Sequence, residues 1–100
     1  MTDISAFLKE LIALPGLSGH EGPVREVIAR AWQPLVDELS TSRLGSLHGL
    51  RRGSGSDPRP RILLSAHMDA IGLMVTQVKD GFLRFTQIGG VDPRILPGQQ

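Results

Sequence analysis

Apolar positions in the first third of the chain recur at helical spacing. Ile4, Phe7, Leu8, Leu11 and Ile12 fall at i, i+3, i+4, i+7 and i+8, and Asp3 stands where a cap belongs. Pro15-Gly16 stops this first helix. Ser18-Gly19-His20-Glu21 has the form of a capping box. Pro23 requires the second helix to start between Gly19 and Gly22, because proline is tolerated only in a first turn. Val24, Val27, Ile28 and Ala31 form the second stripe, Trp32 flanks it, and Pro34 ends it.

From Leu35 the period shortens. Val36 to Thr41 reads as a strand, Arg43 to Ser46 as a turn and Leu47 to Arg51 as a returning strand. Gly53 to Pro58 reads as a flexible hairpin loop, too short and too local for a domain linker. Arg61 to Ala66 has the composition of a buried strand. Ile71 to Val78 is rich in β-branched residues, and Lys79-Asp80-Gly81 is a hairpin turn leading into a strand at Phe82 to Thr86. Gly89-Gly90 and Pro93 break the pattern. Two helices followed by about five strands predict an α/β fold, with a mixed β-sheet covered by helices on at least one face.

The remaining bulk properties narrow the function. One hundred residues make one small domain at most. Eleven basic residues face ten acidic ones, a net charge of +1, which gives no reason to expect nucleic acid or a charged membrane as partner. There is no cysteine, so any metal site here must use histidine and carboxylate. No run approaches the about 18 apolar residues of a membrane span, and Met1-Thr2-Asp3-Ile4 lacks the layout of a signal peptide. A cytoplasmic location is the expectation. No helix or strand pattern closes at Leu96 to Gln100, which reads as a truncation, a frayed natural end being the alternative.

One short constellation carries chemistry. The apolar run Ile62-Leu63-Leu64 leads into His67-Met68-Asp69. On a strand, residues i and i+2 share a face, so His67 and Asp69 project together and Met68 points away. Imidazole is a good ligand for zinc, cobalt or manganese. A neighbouring carboxylate either ligates the ion or fixes the imidazole tautomer. H-x-D alone does not separate a metal site from a half-buried histidine beside a surface aspartate. A stable zinc site also needs at least three protein ligands. His20, beside a helix start, and His48, within a strand, read as surface residues. Gly53 to Ser56 lacks the lysine and helix start of a phosphate loop. Ser65 lacks a nucleophile elbow. Arg51, Arg52, Arg59 and Arg61 lack interleaved aromatics and read as a solvated hairpin.

Several stretches, in order, resemble the N-terminal part of one family. It is the co-catalytic metallo-aminopeptidases that include glutamyl, deblocking and tetrahedral aminopeptidases, some labelled endoglucanase M. Leu14 to Gly19 with Glu21 is similar to the family's opening turn, and Leu44-Gly45 to its L-G-N turn. Ala66-His67-Met68-Asp69 with Ile71-Gly72 resembles its A-H-M-D-x-I-G signature. Gly81 to Arg84 resembles its next hairpin, and Ile88 to Pro93 the beginning of an inserted domain. Ser46 replaces the usual asparagine, and Ala70 stands where glutamate or glutamine is common.

The resemblance implies that His67 ligates one of two divalent metal ions, zinc or cobalt, and that Asp69 is the catalytic aspartate orienting it. It implies that residues 1–88 are an incomplete portion of a zinc-peptidase-type α/β catalytic domain and that 89–100 begin an inserted dimerisation domain. The family's bridging aspartate, general-base glutamate, two further carboxylates and last histidine would lie beyond this sequence. Peptides would be the substrates, and the complete protein a homo-oligomer, from dimer to dodecamer. The fragment alone is expected to be inactive. Other readings of the H-x-D strand are a related metal-dependent deacylase or carboxypeptidase, and a non-catalytic α/β binding module.

Overall fold

A computed structural model describes residues 3–98. Residues 1–2 and 99–100, and with them the last two positions of the expected inserted-domain segment 89–100, lie outside the described residues. Two helices precede two β-hairpins, so the α/β class holds. Helix α1 spans Ile4–Ile12 and starts where expected: Asp3 accepts from the backbone N–H of Ser5 at 2.9 Å and of Ala6 at 3.2 Å. Helix α2 spans Gly22–Trp32, with Pro23 in its first turn. Its inner stripe supplies the buried hydrophobic side chains of the described residues, Val24 and Val27.

Strands β1 (Glu38–Thr41) and β2 (Leu47–Leu50) pair antiparallel, with Thr41 opposite Leu47. Gly45, at φ +93°, closes the turn between them. Helix α2 meets this hairpin at Gly49. A Cβ there would lie 3.1 Å from Trp32 Cε3 and 3.0 Å from Val36 Cγ1, so the bare backbone seats the indole. Strands β3 (Gly72–Lys79) and β4 (Phe82–Ile88) form the second hairpin, with a register shift between Val75 and Gln77. Asp80 and Gly81, at φ +52° and +79°, make the turn as the Asp-Gly dipeptide predicts. A short 3-10 turn, Pro93–Ile95, follows.

Three expectations change. The sheet is not one mixed sheet: each hairpin is its own antiparallel two-stranded sheet, and an isolated bridge between Leu17 and Ala70 is parallel. Arg61 to Ala66 does not form the expected buried strand: it runs beside β2 across a cleft, and no described strand pairs with it. Ile62, Leu63 and Leu64 stand in solvent. An apolar run specifies burial; it does not supply the neighbour that buries it. The capping box also fails to form. Glu21 occupies the N-cap position without capping α2, and its Oε1 instead accepts from the Gly19 N–H at 2.7 Å.

The arginines are solvated as expected, but the hairpin expected around Gly53 to Pro58 does not form, since Arg61 to Ala66 pairs with no strand. Arg51 donates to the Leu35 carbonyl at 3.0 Å, Arg52 pairs with Glu38, and Arg59 pairs with Asp57 at 2.9 Å. The radius of gyration is 18.2 Å, against about 13 Å for a self-contained domain of this length.

Candidate functional site

The segment 61–69 runs alongside α2 and β2 without pairing, leaving a cleft of about 530 Å³ between them. Trp32, Leu47 and His48 line one side, and Leu64, Ser65 and His67 the other. The sequence-predicted pair sits at the end of this segment. His67 Nδ1 lies 3.0 Å from the Asp69 carbonyl oxygen and 3.2 Å from Asp69 Oδ1. An ionised carboxylate and a carbonyl both only accept, so the proton belongs on Nδ1. The lone pair then resides on Nε2, on a ring that is 86% exposed at the cleft.

The second carboxylate oxygen, Asp69 Oδ2, accepts a hydrogen bond from the Ser18 hydroxyl. Ser18 stands 51 residues away in sequence, in the loop between α1 and α2. That loop is stitched to the site by backbone. The Ala70 N–H donates to the Gly16 carbonyl at 2.7 Å, and Leu17 bridges Ala70 in parallel. The Ser18 hydroxyl foremost, with the facing His67 ring, holds the Asp69 carboxyl below its ordinary range.

The structure thus brings His67 and Asp69 together and adds Ser18, which no local sequence feature singles out. Its four-residue pattern with Glu21 pointed to a helix cap instead. His48 shares the cleft with His67, whereas His20 remains exposed in the turn. Among the described residues, no group of three histidine, cysteine, aspartate or glutamate side chains converges as a metal site would require. The donor set nonetheless fits one histidine ligand: Nδ1 is held by Asp69, and Nε2 is open. Among the described residues no helix is long and apolar enough to cross a membrane.

The comparisons agree in direction. A family profile described as M42 glutamyl aminopeptidase matches residues 45–100. A lysyl aminopeptidase of Pyrococcus furiosus is 38% identical over 95 residues, covering 93% of this chain and 26% of its own length. The crystal structure of a TET aminopeptidase from a marine sediment Thaumarchaeota archaeon superposes with a TM-score of 0.84 at 32% identity, over 95% of this chain and 26% of that one. A Thermotoga maritima structure named endoglucanase does so with a TM-score of 0.81 at 50% identity, over 91% and 29%. The chain therefore spans between a quarter and a third of the length of these relatives. With the match running through the His67–Asp69 segment and the hairpin after it, the chain belongs to the M42 glutamyl aminopeptidase family.

Proposed function

We propose that this chain is the N-terminal part of a metal-dependent aminopeptidase that removes N-terminal residues from peptides. It supplies His67 as a metal ligand and Asp69 as the carboxylate that orients it. The observation that carries this reading is the His67 Nδ1–Asp69 Oδ1 approach of 3.2 Å, which leaves Nε2 free at the cleft. Asp69 fits the orienting role better than direct ligation, because His67 and Ser18 already engage both its oxygens. Residues 1–88 would belong to the catalytic domain and 89–100 would begin the inserted one. The complete protein would be cytoplasmic and would assemble as a homo-oligomer, and the chain alone would be inactive.

A pair of divalent ions, zinc or cobalt, would supply Lewis-acid polarisation of the scissile carbonyl and a water of lowered pKa. This chain's own part is narrower. Asp69 holds the His67 ring in one tautomer and one orientation, and His67 presents Nε2 toward the cleft. The endoglucanase name of the Thermotoga structure is the other reading to test. Glycoside hydrolysis runs on two carboxyl groups flanking one bond, whereas here a carboxylate is paired with an imidazole.

The test uses the full-length protein, with metal content by mass spectrometry and turnover on aminoacyl anilides and on carboxymethylcellulose. His67→Ala lowers both metal content and peptidase turnover. Asp69→Asn retains more metal than His67→Ala yet loses about 10–100-fold in activity. Wild-type metal stoichiometry in His67→Ala refutes the ligand assignment, and cellulose turnover without peptidase turnover refutes the activity.

A further inference from the structure

We propose that Ser18 is a positioning residue of the same site, acting through Asp69 on His67; this rests on the reading of His67 as a metal ligand. The last torsion of an aspartate, sp³ to sp², is broad and has no sharp wells. A carboxylate held by one oxygen can turn about that bond, and the imidazole it orients turns with it. Here both oxygens are held from different directions: Oδ1 faces His67 Nδ1 at 3.2 Å, and Oδ2 accepts from the Ser18 hydroxyl. The second contact fixes the plane of the carboxylate, which, together with the Asp69 carbonyl 3.0 Å from Nδ1, fixes the ring.

The loop that carries Ser18 is built to hold it there. Leu17 to His20 form a β-turn closed by the His20 N–H on the Leu17 carbonyl at 2.7 Å, with Gly19 at φ +84° in its third position. Glu21 Oε1 accepts from the Gly19 N–H at 2.7 Å and locks the turn from below. The preceding residues are clamped on two sides. A Cβ on Gly16 would lie 2.8 Å from Val24 Cγ2, and one on Gly72 2.7 Å from Leu17 Cδ2, so both glycines mark close approaches. The Ala70–Gly16 hydrogen bond and the Leu17–Ala70 bridge do not involve the Ser18 side chain. Removing the hydroxyl therefore frees the carboxylate without detaching the loop.

The test compares Ser18→Ala, Ser18→Thr and His67→Ala in the full-length protein. Metal affinity is read by competition with a chromophoric chelator, the cobalt-loaded site by its visible d–d absorption, and kcat and KM separately. Thermal melts confirm that each variant is folded. Ser18→Ala loses about tenfold in metal affinity and in kcat, the low end for partners behind a ligand. Its KM stays unchanged and its cobalt spectrum shifts, and Ser18→Thr, which keeps a hydroxyl, recovers most of the loss. If His67→Ala sheds metal while Ser18→Ala matches wild type in affinity and spectrum, the proposal for Ser18 fails and the ligand reading stands. Equal impairment of Ser18→Ala and Ser18→Thr also overturns it, because the hydroxyl would then not be the cause. Full metal retention by His67→Ala overturns the ligand reading and this proposal together.

Discussion

If, as proposed above, these 100 residues belong to a longer protein, the chain alone does not hold this conformation. The accessible surface is 8844 Å². A folded monomer of 10.8 kDa exposes about 5,500 Å², so roughly 3,300 Å² here awaits a covering surface. Interface areas count both partners, so covering it would bury about 6,600 Å² in total, beyond the about 2,000–5,000 Å² usual for obligate interfaces. The excess is concentrated where burial matters most. Ile62, Leu63 and Leu64 are 86%, 90% and 90% exposed. Each such side chain forfeits about 1.5–3 kcal/mol, and whole domains are stable by only about 5–15 kcal/mol. The assay is urea unfolding of the isolated chain, followed by Trp32 fluorescence, with dye binding to exposed apolar surface and amide exchange of residues 62–66. The isolated chain binds dye, exchanges those amides freely and unfolds without a sigmoidal transition, while the full-length protein protects the same amides. A monomeric chain with a two-state transition worth more than about 5 kcal/mol refutes the reasoning.

Further expectations concern single positions. Gly89 sits at φ +79°, and a Cβ there would lie 2.5 Å from Ile71 Cγ2. The left-handed backbone costs about 1–2 kcal/mol and the overpacking about 1–3 kcal/mol. Gly89→Ala thus lowers the urea midpoint of the full-length protein substantially, and a change below about 0.5 kcal/mol contradicts the close approach. Asp92 caps the Pro93–Ile95 turn, and the Arg94 side chain first, then its backbone N–H, holds the Asp92 carboxyl below its ordinary value. A depressed folded value means that this contact stabilises fully above the ordinary carboxylate pKa and is lost as pH falls through the lowered one. Carboxyl carbon NMR shows Asp92 titrating at lower pH than a free aspartate, and Arg94→Gln returns it upward; an unchanged titration in that variant disproves the cause.

Both helices are legible in the residues because a helix satisfies its own backbone. The period of Ile4 to Ile12, the Asp3 cap and the placement of Pro23 are local facts, and they predict boundaries that the structure reproduces. The β3–β4 hairpin is legible for the same reason, its turn being set by Asp80 and Gly81. A strand without a tight turn is different. Arg61 to Ala66 reads as a buried strand, yet it forms none and stands exposed, because a ladder depends on a neighbour that no local pattern names.

The site divides along the same line. Spacing alone put His67 and Asp69 two positions apart, close enough for their side chains to meet, as they do at 3.2 Å without a strand to carry them. Whether that aspartate is free or pinned was decided only by tertiary structure. The Ser18 hydroxyl reaches it across 51 residues, delivered by backbone bonds between Gly16, Leu17 and Ala70. Such a contact is fixed by where two distant backbones run, and a short sequence window contains only one of them.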